Sequence, residues 1–407
     1  MNWRKLFTYI ALVLISVVVL LFGFLAYIAI VPPEEYQPDN VTIPEQDQYN
    51  LDEKTGWYTL DDGSEWMLTW RPHGGLLAVN FVDFANDNMY PKNASEFIWV
   101  HERDSLVVTF IDSAGITQKF TWTDSTGTKR TALRMDQPYY NQRELSFTNG
   151  DVSLKGTLMI PAQKPIESAA VIIHGSGTSH RDNFWYLYQA DYFAKNGIMI
   201  LLPDKRGSGA SGGEWHNAAM EDFANDVIMG ARKIQSLSIK DSLNLGFIGF
   251  SQGGAIAPLA ATKFSDANFV VNVVGSVVTY NEQLKFEIYN DVLAEGVPKF
   301  IAPLVTSAYV KRAKARRPVW WEKNGDYSPG SYFKKLDIPT LIIYGDKDTN
   351  APVEQSLRNL KEIQQTPEGK NITIKVYDNT GHAMGDPETG WIREDYLQLV
   401  TKWINNI

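Results

Sequence analysis

Four rhythms of apolar and polar positions succeed one another along the 407 residues of this chain. From Leu6 to Val31 no charged residue interrupts an apolar run. At about 1.5 Å per helical residue that run is long enough to cross a hydrocarbon core of about 30 Å. The expectation is a transmembrane anchor helix over residues 6–31. A cleaved signal peptide is the rival, but its apolar region would be about 7–15 residues long and end in a small-x-small site, for which Ala26-Tyr27-Ile28-Ala29 is a poor match. Arg4 and Lys5 precede the run, and Glu34, Glu35 and Asp39 follow it. That asymmetry favours a cytoplasmic N-terminus, a single lipid-bilayer crossing and an extracytoplasmic body. Residues 32–50 are rich in proline and acid and show no period, which reads as an extended linker.

Over residues 51–135 the rhythm changes to short apolar runs, Trp66–Trp70, Leu76–Val82, Phe97–Val100, Leu106–Ile111 and Ile116–Trp122, separated by turn residues such as His73-Gly74-Gly75 and Ser113-Ala114-Gly115. The pattern predicts a small antiparallel β domain. His73 and His101 have no companion ligands at metal spacing and read as surface or packing residues. From about residue 140 to 407 continuous apolar strands alternate with amphipathic helices, the signature of βαβ units around a parallel sheet. The expected strands are Ala169–Ile173, Ile198–Leu202, Leu243–Phe250, Phe269–Val274, Thr340–Tyr344 and the more alternating Ile372–Tyr377. Between Val278 and Thr340 lie about 60 residues, far beyond a usual connection of about 4–6, so a cap is expected over about 279–336. It carries many aromatics and the basic run Lys311 to Arg317. The run reads as a solvated helix face in preference to a headgroup-binding patch.

Composition narrows the chemistry. With 44% hydrophobic and 12% aromatic residues the chain has ample material for a core. A formal charge of -9 argues against nucleic-acid binding, which needs concentrated Lys and Arg. The absence of cysteine excludes disulfides, thiolate metal sites, thiol nucleophiles and acylation at a cysteine.

Candidate chemistry centres on Gly249-Phe250-Ser251-Gln252-Gly253, a G-x-S-x-G spacing directly after an apolar strand and before an Ala-rich helix. A serine there occupies a tight strand-to-helix turn, where side chains at the flanking positions would collide with backbone. In this context, residues 140–407 resemble the α/β-hydrolase superfamily, particularly its serine esterase, serine aminopeptidase and prolyl-oligopeptidase-like branches. The resemblance implies a mostly parallel sheet with an inserted cap and a triad in the order nucleophile, acid, histidine. Ser251 would be the nucleophile, Asp348 in Gly345-Asp346-Lys347-Asp348 the acid, and His382 in Thr380-Gly381-His382 the base. Asp346 competes with Asp348 and is assigned to the turn. The oxyanion hole would draw on the Gln252 amide and on the loop His174-Gly175-Ser176-Gly177, with Ser176 the preferred donor. Asp204-Lys205-Arg206-Gly207-Ser208-Gly209 resembles the family's D-x-RG-x-G segment and reads as structural. His180-Arg181-Asp182 reads as an ion pair supporting the oxyanion loop. The expected reaction is acyl transfer to water on a carboxylic ester, with a short peptide or amide as the alternative. No cofactor and no metal are called for. A catalytically silent binding module is the reading from another class.

Overall fold

A computed structural model describes residues 3–30, 49–72, 74–101, 104–239 and 242–407. Helix α1 (Trp3–Ile30) runs through most of the first apolar segment, and Phe7, Leu12, Val13, Leu14 and Leu20 on it are exposed. Among the described residues no helix is long and apolar enough to cross a membrane. The expected transmembrane anchor over residues 6–31 is therefore not supported by the described residues. Most of the expected linker, residues 32–48, and His73 lie outside them.

After the short helix α2 (Leu51–Lys54) come eight antiparallel strands: β1 (Gly56–Leu60), β2 (Glu65–Trp70), β3 (Leu76–Asn80), β4 (Ala85–Pro91), β5 (Glu96–His101), β6 (Asp104–Ser113), β7 (Ile116–Thr123) and β8 (Lys129–Arg134). They do not remain an open meander. β1 pairs with β8, Tyr58 opposite Arg134, and closes a barrel. Closure removes the two unpaired strand edges that an open meander would present to solvent. Trp66, Trp70, Phe97, Trp99, Phe110 and Phe120 fill the interior. His101 accounts for itself by packing: its Nδ1 lies 2.7 Å from Asp87 Oδ2 and its ring against Trp66 and Trp99.

The second sheet has eight strands in the order β16-β15-β14-β13-β11-β12-β10-β9. Strands β9 (Tyr140–Asn149) and β10 (Val152–Pro161) form an antiparallel edge, and β10 is also antiparallel to β12 (Ile198–Pro203). From β12 onward the pairs are parallel: β11 (Ser168–Ile173), β13 (Asn244–Phe250), β14 (Phe269–Val273), β15 (Thr340–Gly345) and β16 (Ile372–Tyr377). β11, β12, β14 and β15 are buried along their whole length, which is why they read as unbroken apolar runs rather than alternating ones. Helices α3 (Phe184–Lys195), α4 (Met220–Ser236) and α5 (Gln252–Lys263) cover the faces of the sheet.

The insertion between β14 and β15 is helical, with α6 (Tyr280–Ala294), α7 (Ala302–Ala315), α8 (Pro318–Asn324) and α9 (Gly330–Phe333). Thr279 caps α6 reciprocally with Glu282. Tyr280, Trp320 and Phe333 are buried in the hydrolase core, so much of the cap's aromatic content is packing. Of the basic run, Lys311 and Arg316 are exposed, while Lys314 lies over Trp321 and Arg317 over Trp215. Helices α10 (Val353–Ile363) and α11 (Glu394–Ile404) complete the body.

Barrel and sheet share a core: Trp57, Met67 and Phe81 pack with Tyr140, Phe193 and Ala194. Lys195 lies 4.5 Å from the Trp57 ring centroid, and Tyr140 donates to Asp191 at 2.8 Å.

Candidate active site

The loops after the parallel strands β13, β15 and β16 bring Ser251, Asp348 and His382 together at the strands' C-terminal ends, the edge where open α/β sheets bind ligands. β13 leads directly into Ser251, whose φ of 52° is a left-handed conformation that a non-glycine residue adopts only when its surroundings enforce it. Those surroundings are backbone. A Cβ on Gly249 would lie 2.2 Å from the Gly253 carbonyl oxygen, and one on Gly253 would lie 2.0 Å from the Ile173 oxygen. The two glycines therefore let the turn close against β11 and hold the serine at the N-terminus of α5.

His382, on the loop after β16, reaches Ser251 through Nε2 at 2.9 Å from Oγ, and its Nδ1 lies 2.7 Å from Asp348 Oδ2. A carboxylate only accepts at this distance, so Nδ1 carries the proton and Nε2 is free to accept the serine proton. Asp348 follows β15 and is buried. Its other oxygen accepts from the backbone N–H groups of Asn350 and Ala351, both at 2.8 Å. Asp346 has a different setting. It is paired with Lys347 at 2.7 Å, and its Oδ1 accepts from the Thr380 N–H. The bond to Lys347 holds its carboxyl below the ordinary range. Of the two aspartates after β15, the one in contact with the histidine is Asp348.

Gln252 begins α5, where the unpaired amides and helix dipole favour negative charge. Ser176 lies in the loop after β11 and is exposed, next to buried Gly175. Gly175 N–H donates to Tyr186 Oη at 2.8 Å and is thereby occupied. Tyr186 stands on α3 against His174 and Phe250. Burial drives the His174 imidazole down to about 3, so the ring is neutral and Nε2 donates to the Pro203 carbonyl at 2.6 Å.

The segment after β12 divides by residue. Asp204 accepts from the amides of Arg181 and Ala210, and Arg206 holds Asp226 through two bonds of 2.8 and 2.6 Å. Burial raises both carboxyls above their ordinary value, Asp204 against the pull of Arg181 and Asp226 against that of Arg206. Arg181 also contacts Glu144, and His180 contacts Asp182, so the supporting ion pairs involve more partners than the tripeptide alone. Lys205 behaves otherwise: it is buried and points back at the oxyanion loop and at Gln252. Sequence reasoning passed it over because a lysine between Asp204 and Arg206 looks like one more surface charge. It also passed over Glu287 on α6, which lies 3.5 Å from Asn350 Nδ2 beside the triad and whose carboxyl is raised chiefly by burial.

A doubly wound hydrolase sheet with a serine at a strained strand-to-helix turn, in contact with a histidine and a buried aspartate, defines a serine hydrolase of the α/β-hydrolase class. Residues 183–407 match the prolyl oligopeptidase family, and the chain belongs to that family. It is 23% identical over 241 residues to a bifunctional esterase/perhydrolase of Acinetobacter calcoaceticus, covering 51% of this chain and 84% of that one. It is likewise 23% identical over 287 residues to the uncharacterized peptidase YuxL of Bacillus subtilis, covering 64% of this chain but only 38% of that protein. Among solved structures, an acylaminoacyl peptidase of Pyrococcus horikoshii superposes with a TM-score of 0.53 at 17% identity, over 84% of this chain and 54% of that one. An esterase of Pyrococcus furiosus superposes with 0.51 at 17% identity, over 66% and 91%. At these identities the superpositions establish the fold.

Proposed function

We propose that the protein hydrolyses a carboxylic acyl bond through an acyl-serine intermediate, with Ser251 as nucleophile, His382 as general base and Asp348 as its orienting acid. The observation that carries this reading is the unbroken contact from Ser251 Oγ through His382 to Asp348. Nε2 takes the serine proton as Oγ attacks the acyl carbon, and the imidazolium that forms is stabilised by Asp348. The same proton passes to the leaving group as the acyl bond breaks. Water, deprotonated in turn by His382, then releases the acid and restores the serine. The tetrahedral oxyanion would be met by the backbone amides of Gln252 and Ser176, at about 3 kcal/mol per donor.

A carboxylic ester is the favoured substrate, and an esterase stands among the relatives. Membership of the prolyl oligopeptidase family favours an aminoacyl or short-peptide amide as the second reading. Parallel assays on an aryl ester and an aminoacyl arylamide separate the two. The ester reading expects a higher kcat/KM on the ester than on the matched amide, by more than the difference in their intrinsic reactivity. Equal efficiency after that correction would favour the peptidase. The two also place the active body differently from a silent binding module, which would turn over neither.

For α1 we propose a membrane-anchoring role with an extracytoplasmic body, supported by the uncharged run from Leu6 to Val31 and by the charge asymmetry around it. Fractionation of the full chain tests this. Recovery in the membrane fraction, resistant to carbonate extraction, is expected, and recovery as soluble protein would end the idea.

A further inference from the structure

A lysine ammonium is among the costliest groups to enclose, and it is normally enclosed with a carboxylate. Among the described residues, Lys205 is enclosed without a carboxylate in contact with it. Its Nζ donates to the Gly175 carbonyl oxygen and to Gln252 Oε1, both at 2.6 Å. The Phe223 ring lies 4.9 Å away and Trp215 5.9 Å. Both acceptors belong to the residues that frame the proposed oxyanion hole. Its own N–H is also tied to the Ser179 carbonyl at 3.0 Å, within the same loop system.

We propose that Lys205 is a positioning residue that aims the oxyanion hole, a role that rests on the hydrolase reading above. A trans peptide is planar, and its C=O and N–H point in opposite directions. Fixing the Gly175 oxygen on Lys205 therefore turns the Ser176 N–H away from the lysine, to the other side of that plane. Gly175 is held on its other side as well, because its N–H donates to Tyr186 Oη at 2.8 Å. The second arm holds the Gln252 side chain, and so the first residue of α5, on the same ammonium. A positive charge at the carbonyl end also polarises the peptide and makes its N–H a stronger donor. One buried cation thus sets the aim and strength of a backbone donor it never shares with substrate.

The charge should be adjustable. Burial, and then the Arg317 guanidinium, bring the Lys205 ammonium down from 10.5 to about 7. The groups facing it are His174, which burial keeps neutral, Asp204, engaged by Arg181, the Arg206–Asp226 pair and Arg317 from the cap. None of the acids contacts Nζ. Above about 7 the group loses its charge in the folded chain, and the polarisation of Ser176 N–H weakens.

The test is Lys205→Met, which keeps length and removes the ammonium. Between about 7 and 10.5 the folded chain holds fewer protons on this residue than the unfolded chain does, so stability gained there is lost as pH falls through about 7. Removing the group should leave the melting temperature at neutral pH unchanged or higher. We expect kcat to fall about 10- to 100-fold with KM within about threefold, less than deletion of a whole oxyanion donor. The rate of phosphonylation by a fluorophosphonate should fall in parallel. The native enzyme should also lose kcat several-fold as pH rises from about 7 to 9, and the variant should not. Native kcat and native phosphonylation rate in the variant would overturn the inference, as would a slow variant that retains the alkaline fall. Should the variant not fold, a native kcat that stays level or rises over that range in folded protein overturns it alone. Failure of the native protein to react with the fluorophosphonate would instead sink the hydrolase reading itself.

Discussion

Among the described residues, the barrel with its leading helix α2 and the hydrolase sheet each bury one lysine, and the contrast between the two separates structural from functional burial. In the barrel, Lys54 has Asp112 at 3.7 Å and lies 5.6 Å from the Phe110 ring, far along the chain from any reactive residue. In the sheet, Lys205 faces carbonyl oxygens at the end of β12 beside the nucleophile turn. The same division holds for the whole of each region. The barrel fills its interior mainly with aromatic side chains; many of its polar groups serve local turns such as Asp124 with Thr126 and Thr128, and a few, Thr69 and Thr117 among them, are buried. The sheet brings one set of buried polar groups, Asp348, Gln252, Lys205 and His174, to the ends of neighbouring parallel strands. Antiparallel closure spends its polar groups on turns, whereas parallel strands bring loops from distant stretches of sequence to one edge.

The comparison breaks first at Ser251. Ser251→Ala should lower kcat by on the order of 10⁶ in keeping with nucleophile deletion in a triad, with the melting temperature unchanged, since an alanine fits the same turn. Next comes the pair of aspartates. Asp348→Asn should cost about 10⁴ in kcat by favouring the wrong imidazole tautomer. Asp346→Asn should cost less than about tenfold, because its bonds serve the turn. Steady-state kinetics on both variants at one pH checks this, and a reversed order would move the acid to Asp346. In the barrel the effect should be on stability: Trp99→Ala should cost about 3–5 kcal/mol in denaturant unfolding. The kcat per folded molecule should remain within about twofold. A loss of kcat without loss of stability would mean that the barrel takes part in the chemistry.

The smallest effect concerns the seam between the two regions. Asp191 is lifted from 3.8 to about 6 by burial, against the pull of Lys195. A carboxyl raised in the folded state holds a proton that the unfolded chain has released, so its contribution is present below about 3.8 and lost as pH rises through about 6. Asp191→Asn should flatten the fall in stability over that window, as read by unfolding midpoints across pH.

Much of the sheet was legible because its central strands are buried on both faces and read as apolar runs. β15 (Thr340–Gly345) begins at the very residue the pattern marks. Barrel strand β4, Ala85–Pro91, was not legible: its sequence Ala-Asn-Asp-Asn-Met-Tyr-Pro buries only Met89 fully. Closure of β1 on β8 was also hidden, since pairing of Tyr58 with Arg134 depends on the path of the six strands between them. At the site, Ser251, Asp348 and His382 could be singled out because each follows a strand in a recognisable order. Lys205 could not, because the rings of Trp215 and Phe223 and the charge of the cap's Arg317 make its setting, and none of them marks it in the sequence.

The central claim is that Ser251 carries the acyl group. Intact-mass spectrometry of the protein quenched during turnover of a slowly hydrolysed aryl ester, followed by peptide mapping, reads it directly. A mass increase equal to one acyl group is expected, located on the peptide containing Ser251 and absent from Ser251→Ala. Turnover with the acyl group on another residue, or undiminished turnover in Ser251→Ala, would contradict it.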